Sequence, residues 1–325
     1  MTSNFWDCCV GLVKRWNVLS PSFTWPYSYK VSHNLQMHPL PQETPYIVRR
    51  FWGIVHRKLL RLSRLYCRWH GIPFDGQIMQ LPFGLILKWS DGTRAEEVLA
   101  MEAARRAGMP VPRVICYGEQ PDSSHAPVSI LMTRLPGHEL GAVYETLDAA
   151  EQETILQEMD AYISSMRKWK SPWGEQRICS LSDTSIRSVR VPFHSMGPFD
   201  TEDQMNDYPL YPQDYHESYY DHEPDFLNLE KRVDVLFSDK HDIVYTHGDL
   251  KHHNIMVHNG HVSGFIDWES AGWYPEYWDF TTALRYQDEG FWWYDFVVKL
   301  GGHRYLVYKE AERALTSLTV DSYAW

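Results

Sequence analysis

Ile243–Asp279 reads IVYTHGDLKHHNIMVHNGHVSGFIDWESAGWYPEYWD, and the rest of the chain is organised around it. Ile243 to Thr246 is apolar, β-branched and aromatic, the composition of a buried strand, and it feeds a polar loop from His247 to Asn254. Ile255–Val257 and Val262–Ile266 then flank Asn259-Gly260, a dipeptide with easy access to positive φ. That spacing predicts a hairpin closed by a type I′ turn. Asp249 and Asn254 stand at the entrance of the ribbon and Asp267 at its exit, so three oxygen-bearing side chains gather at one end. Hard oxygen ligands too few to fill a coordination shell suit Mg2+, with the open positions left to water or phosphate. The competing reading, in which His247, Asp249 and Asn254 only cap and brace a turn, leaves the agreement of so many spaced features unexplained.

The bounds around this stretch are set by composition. With 325 residues and 44% hydrophobic content the chain can bury a sizeable core, as one large or two small domains. A formal net charge of −11 argues against nucleic acid, which needs clustered Lys and Arg to displace counterions, and favours attraction of cations. The five cysteines are odd in number and lack a C-x-x-C pair, which suggests neither a disulfide framework nor a zinc knuckle and fits a reducing cytoplasm. The N-terminal FWDCCVGLV is broken by Asp7 and makes a poor signal peptide, and no uncharged run reaches the length of a membrane span. The expectation is a cytoplasmic protein with a small-molecule partner and neither nucleic acid nor membrane.

Asp249 and Asn254 also have the D-x-x-x-x-N separation in which an aspartate takes a hydroxyl proton and an asparagine holds metal. The HGD-x-x-x-x-N loop followed by IDW, and above all the string DWESAGWYPEYWDF, resemble the aminoglycoside phosphotransferase and choline kinase superfamily, in its fungal branch. The resemblance implies an α+β, protein-kinase-like two-lobed fold: a small lobe with a five-stranded antiparallel sheet and one helix, and a mainly helical large lobe. It implies ATP and Mg2+ as cofactors, Asp249 as the catalytic carboxylate, and Asn254 and Asp267 as the metal ligands. Lys251 stands where it could neutralise the γ-phosphate, and Asp279 matches a position that anchors the catalytic loop from a following helix.

Upstream, residues 1–45 are dotted with proline and aromatic residues and read as an extension lying on the surface. Residues 46–134 form the expected nucleotide-binding lobe, and 135–325 the helical lobe. Tyr46 to His70 is helical and basic, with Ile47, Phe51, Ile54, Val55, Lys58, Leu62, Leu65 and Trp69 spaced near three and four. Its charges read as interspersed, so a docking helix for the small lobe is preferred to a membrane-surface helix. Gln77 to Trp89 reads as two strands around Pro82–Gly84, with Lys88 the only charge in the second. A lone lysine in an apolar strand is usually an edge residue; the resemblance instead gives Lys88 the nucleotide phosphates, with Gln80–Phe83 as their cover. Thr93 and Glu96 have capping-box spacing for a helix stopped by Gly108 and Pro110. On that helix the resemblance pairs Glu97 with Lys88, with Glu96 and Glu102 as alternatives. It also places a hinge for the adenine edge at Met132, Thr133, Arg134 and Leu135.

In the large lobe, Asp148 and Glu151 start a helix whose Ile155, Met159, Tyr162, Met166 and Trp169 form a core stripe. Asp200–Asp225 is acidic and tyrosine-rich, either a solvated loop or an insertion suited to an ammonium or guanidinium group. Phe226, Leu229, Val233 and Leu236 read as a helix returning to the central stretch. The histidines 247, 252, 253, 258 and 261 lack the companions of a zinc site, and His258 and His261 flank the hairpin turn in water. Glu269 and Trp268 are candidates to line the acceptor site or assist the metal. The reading is an ATP-dependent small-molecule kinase with a hydroxyl acceptor, for which a cationic compound is one candidate. Its rivals are a protein kinase, which the segment after Asp267 gives little room for, and a non-catalytic nucleotide-binding relative.

Overall fold

The computed structural model describes residues 18–26, 39–188, 190–191, 194–207 and 234–318. Helix α1 (Tyr46–His70) is stopped by Gly71, whose left-handed backbone returns its N–H to Arg68 O. Strands β1 (Ile78–Leu81) and β2 (Leu85–Lys88), helix α2 (Ala95–Arg106), and strands β3 (Val114–Glu119) and β4 (Val128–Thr133) follow. The strands make an antiparallel sheet in the order β1-β2-β4-β3, so among the described residues the small lobe has four strands where five are expected.

The two faces of this sheet carry different helices. Met79, Leu81, Leu87 and Leu131 pack with Leu59 and Leu60 of α1, whereas Tyr117, Val128 and Ile130 pack with Val98 of α2. The α1 contact is backbone on backbone: a Cβ on Gly53 would come 2.0 Å from Glu119 O. Only glycine permits that approach. The buried face of α1 is accordingly Gly53, His56, Ser63, Tyr66 and Cys67. His56 Nδ1 and Ser129 Oγ lie 2.7 Å apart, and Gln120 Nε2 donates to Ser129 Oγ and Gly53 O at 3.0 Å. The residues that the period assigned to the docked face, Ile47, Phe51, Ile54, Leu62, Leu65 and Trp69, are instead exposed.

The other sequence expectations for this lobe divide. The extension does lie against the lobe where it is described: Phe83 N donates to Val18 O at 2.7 Å, and Tyr66 Oη to Leu19 O at 2.9 Å. The Thr93–Glu96 capping box does not form. Helix α2 starts from Arg94 with no side-chain cap; Thr93 Oγ1 takes the Ser90 amide, and Glu96 accepts from Thr184 Oγ1 at 3.2 Å.

The large lobe starts with β5 (His138–Glu139) and α3 (Ala149–Met166). Asp148 and Glu151 do form a capping box there, with Asp148 Oδ1 accepting the Ala150 and Glu151 amides at 2.9 Å. Ile155, Met159, Tyr162, Met166 and Trp169 are all buried in the main core. Strands β6 (Cys179–Ser180), β7 (Ile186–Arg187) and β8 (Ser195–Met196) and helix α4 (Glu202–Asp207) precede the central stretch. That stretch supplies β9 (Ile243–Thr246), β10 (Ile255–His258), β11 (His261–Phe265) and β12 (Gly272–Pro275), and then α5 (Trp278–Leu284). Helices α6 (Trp292–Lys299) and α7 (Leu306–Leu318) close the lobe. Asn259 and Gly260 have φ of 52° and 72°, the backbone of the expected I′ turn. Most of the acidic, tyrosine-rich segment, residues 208–225, and the expected helical positions Phe226, Leu229 and Val233 lie outside the described residues; Leu236 is buried. No helix among the described residues is long and apolar enough to cross a membrane.

Candidate active site

The strand-to-loop junction is fixed first. Gly248 has φ +82°, and a Cβ there would meet Ser270 O at 1.9 Å, so this position accepts glycine alone. Its N–H donates to Asp279 Oδ1 at 2.9 Å, and the His247 N–H to Asp279 Oδ2 at 3.2 Å. Asp279 is fully buried, and burial pushes its carboxyl above the usual range against the pull of His247, Arg167 and those two amides. His247 Nε2 donates to Ile266 O at 2.9 Å, tying the loop to the residue before Asp267.

The ribbon then brings its ends together: Ile266 N donates to Asn254 O at 3.0 Å. Asn254 Nδ2 donates to Asp249 O at 2.9 Å and to Asp249 Oδ2 at 3.0 Å. With both amide protons committed, the atom that Asn254 can offer a cation is its carbonyl oxygen. Lys251 Nζ stands 3.4 Å from Asp249 Oδ1. Asp267 sits at φ 64°, a left-handed conformation that costs a non-glycine residue energy and clusters at functional sites.

From the small lobe, Lys88 Nζ donates to Glu97 Oε1 at 2.9 Å and across the cleft to Asp267 Oδ1 at 2.6 Å, with Glu269 Oε2 at 3.7 Å. Of the three glutamates considered on α2, Glu97 is therefore the partner; Glu102 pairs with Arg106 at 3.4 Å. Burial alone would discharge Lys88, but Glu97, Asp267 and Glu269 outweigh it and hold the ammonium well above its ordinary range. Burial raises Glu97 to about 7 against the pull of Lys88. Burial would raise Asp267 too, yet attraction to Lys88 and their hydrogen bond keep its carboxyl below the ordinary value. Glu97, Asp267 and Glu269 each offer an oxygen within 4.8 Å of one another, and the second oxygen of Glu97 is buried without a hydrogen-bond partner. Carboxylate and amide oxygens in local acidic excess fit a hard divalent cation.

The hinge is more constrained than the sequence indicates. The Thr133 amide donates to Arg113 O at 3.0 Å and the Arg134 amide to Gly84 O at 2.8 Å, so neither of these two expected hinge amides is open to a base edge. Met132 is half-buried inside β4, paired with Ile86 of β2. The Gly84 contact also puts the β1–β2 turn at the hinge end of the sheet, away from Lys88, so Gln80–Phe83 does not cover the position next to the lysine. Asp75–Ile78 does run beside it: Ile78 pairs with Lys88, and Trp89 N donates to Gln77 O at 2.8 Å.

Of three further placements, those of Trp268 and His261 differ from expectation, whereas Glu269 stands beside the candidate metal ligands. Trp268 is 1% exposed, its indole donating to Phe265 O at 3.0 Å, so it belongs to the core and lines no acceptor site. Glu269 faces Lys88 and accepts from Arg187 Nε at 3.0 Å. His261 Nδ1 lies 2.7 Å from Glu158 Oε1, a partnered rather than a freely solvated ring. No sequence pattern singles out Arg187, a basic residue in the irregular SIRSVR segment.

With this geometry in place, the model of the phosphotransferase enzyme family, APH, matches residues 78–315. The chain belongs to that family. The matched span of the phosphotransferase runs from β1 into α7 and includes Lys88, Glu97, Arg187, Asp249, Lys251, Asn254, Asp267, Glu269 and Asp279. A thermostable mutant of aminoglycoside phosphotransferase APH(4)-Ia, in ternary complex with ADP and hygromycin B, is similar in structure at 14% identity and a TM-score of 0.51. The match covers 79% of this chain and 88% of that one. A second mutant of the same enzyme, with AMP-PNP and hygromycin B, gives the same identity, coverage and TM-score. Aminoglycoside phosphotransferase APH(3'')-Id from Streptomyces rimosus aligns at 15% identity over 81% of this chain and 98% of its own, with a TM-score of 0.45. At these identities the first two likenesses carry the fold, the protein-kinase-like arrangement of aminoglycoside phosphotransferases. No curated protein matches the chain in sequence.

Proposed function

We propose that this phosphotransferase is an ATP-dependent small-molecule kinase that transfers the γ-phosphate to a hydroxyl of an acceptor. The observation that carries this reading is the Lys88 ammonium held between Glu97 on α2 and Asp267 across the cleft, at 2.9 and 2.6 Å. An ion pair that needs both lobes in place is the arrangement in which kinase-like folds set nucleotide phosphates. Residues 46–134 are then the nucleotide lobe, 135–325 the lobe of the catalytic loop and acceptor site, and 1–45 an extension on the first.

In this reading Met132, Thr133 and Leu135 border the adenine, with the Leu135 amide as donor. Asp249 accepts the acceptor's hydroxyl proton as its oxygen bonds to the γ-phosphorus and the bridging oxygen leaves with ADP. Asn254 fixes the Asp249 carboxylate through its amide, and Lys251 offsets charge on the moving phosphoryl group. Asn254 and Asp267 would hold Mg2+, which when bound neutralises phosphate charge and fixes its orientation. Lys88 would then exchange Asp267 for phosphate oxygen while keeping Glu97. The protein's contribution is positioning and charge neutralisation, since phosphoryl transfer asks for little covalent chemistry.

The acceptor class is tested by ATP consumption against a panel of hydroxylated amines and sugars, with Asp249→Asn as control. Turnover on one compound class that vanishes in the variant supports the reading. Nucleotide binding with no turnover across the panel would favour the non-catalytic alternative.

A further inference from the structure

The outer face of α1 has no part in the site. Residues 46–70 contain seven of the chain's 31 Lys and Arg and none of its 42 Asp and Glu. With 3.6 residues per turn, Ile47, Phe51, Ile54, Leu62, Leu65 and Trp69 fall within a sector of about 80°, and Arg50, Arg57, Arg61, Arg64 and Arg68 within the adjoining sector of about 60°. The apolar sector points away from the sheet, with Ile47 81%, Phe51 58% and Trp69 72% exposed. Arg57, Arg61, Arg64 and Arg68 are exposed as well. Among the described residues, acids reach this face only at its rim: Asp122 pairs with Arg57 at 2.7 Å, and Glu43 and Glu119 with Arg49.

We propose that this ridge seats α1 on an anionic lipid surface, reversing the expectation that no membrane is involved. Apolar and basic side chains lie in adjacent rows along a helix of 25 residues, so both meet a flat bilayer at once. The helix is a convex ridge, which a planar lipid interface accommodates along its whole length. Its charge is opposite to that of anionic headgroups, while the rest of this acidic chain is repelled by them. Over roughly a Debye length, about 8–10 Å, the nearby arginines dominate the net charge of the molecule. Phe51 and Trp69, more than four turns apart, supply aromatic anchors near the two ends. Helix α2 and Lys88 stand toward the opposite face of the sheet, so docking leaves the cleft open.

The test sediments the full chain with vesicles of phosphatidylcholine alone or mixed with phosphatidylserine. The expected result is binding to the phosphatidylserine vesicles, about tenfold weaker binding to the neutral ones, and release by salt. F51S/W69S should lower partitioning by about tenfold and R61E/R68E by about thirtyfold or more, while the thermal shift given by ATP and Mg2+ stays that of the parent. Equal binding to both vesicle types, or variants that bind like the parent, would overturn the proposal. So would a dimer that both variants convert to monomer in a chain that ignores vesicles, because the ridge would then be covered by a second copy.

Discussion

Asp279 and Asp267 are both aspartates near the His247–Asn254 loop, and they are satisfied in opposite ways. Asp279 is held by two backbone amides of its own lobe, His247 and Gly248. Asp267 is held by a side chain from the other lobe, Lys88. The first bond set is fixed by the fold, whereas in the proposed function the second is traded for a cation or a phosphate. On that proposal one region of the cleft is scaffold and the other exchangeable charge, and substitutions in the two should read out differently.

The largest effect is expected where exchange is blocked. Asp267→Ala or Asp249→Ala should lower turnover on the acceptor by about a hundredfold or more while leaving Tm nearly unchanged. Retained turnover in Asp267→Ala would break the comparison. Asp279→Ala should do the reverse in stability: two buried amides lose their acceptor, and chemical denaturation should show a loss of about 3 kcal/mol. A variant as stable as the parent would show that these amides find another partner.

His56 extends the scaffold side of the contrast to the small lobe. Burial lowers its pKa from 6.5 to about 4 in the folded chain. The depressed group binds its proton less readily folded than unfolded, so its stabilisation is full above about pH 6.5 and is lost as pH falls towards 4. The loss should reach about 2 kcal/mol near pH 5, and the slope of stability against pH in that window should flatten in His56→Gln. Arg187→Ala probes the exchangeable side most gently. Glu269, freed of its guanidinium, would compete for Lys88, and KM for ATP should rise about fivefold, roughly 1 kcal/mol, without loss of Tm. An unchanged KM would remove Arg187 from the site.

What was legible in the sequence follows the same division. The strand, loop and hairpin from Ile243 to Phe265 could be read because their contacts are local, and Asn259-Gly260 states its own turn chemistry. The pairing of Lys88 with Glu97 spans nine positions and came from resemblance. Arg187 and Glu269 lie 82 positions apart, and no local pattern announces a contact of that range. The error on α1 has a different origin. Its apolar period is real, but the face that docks is chosen by Gly53 and Gly118, where backbones meet, and that leaves Ile47, Phe51 and Trp69 outside. Periodicity shows that a helix is amphipathic and is silent on which side its neighbour takes.

The central claim is that Asp267 exchanges Lys88 for a nucleotide-borne cation. Thermal unfolding of the full chain with ATP, with and without Mg2+, measures it most directly. The account predicts a rise in Tm with ATP that grows on adding Mg2+, and in Asp267→Asn a rise that Mg2+ no longer enlarges. A shift that ignores Mg2+ in the parent, or keeps its full Mg2+ dependence in the variant, would contradict it.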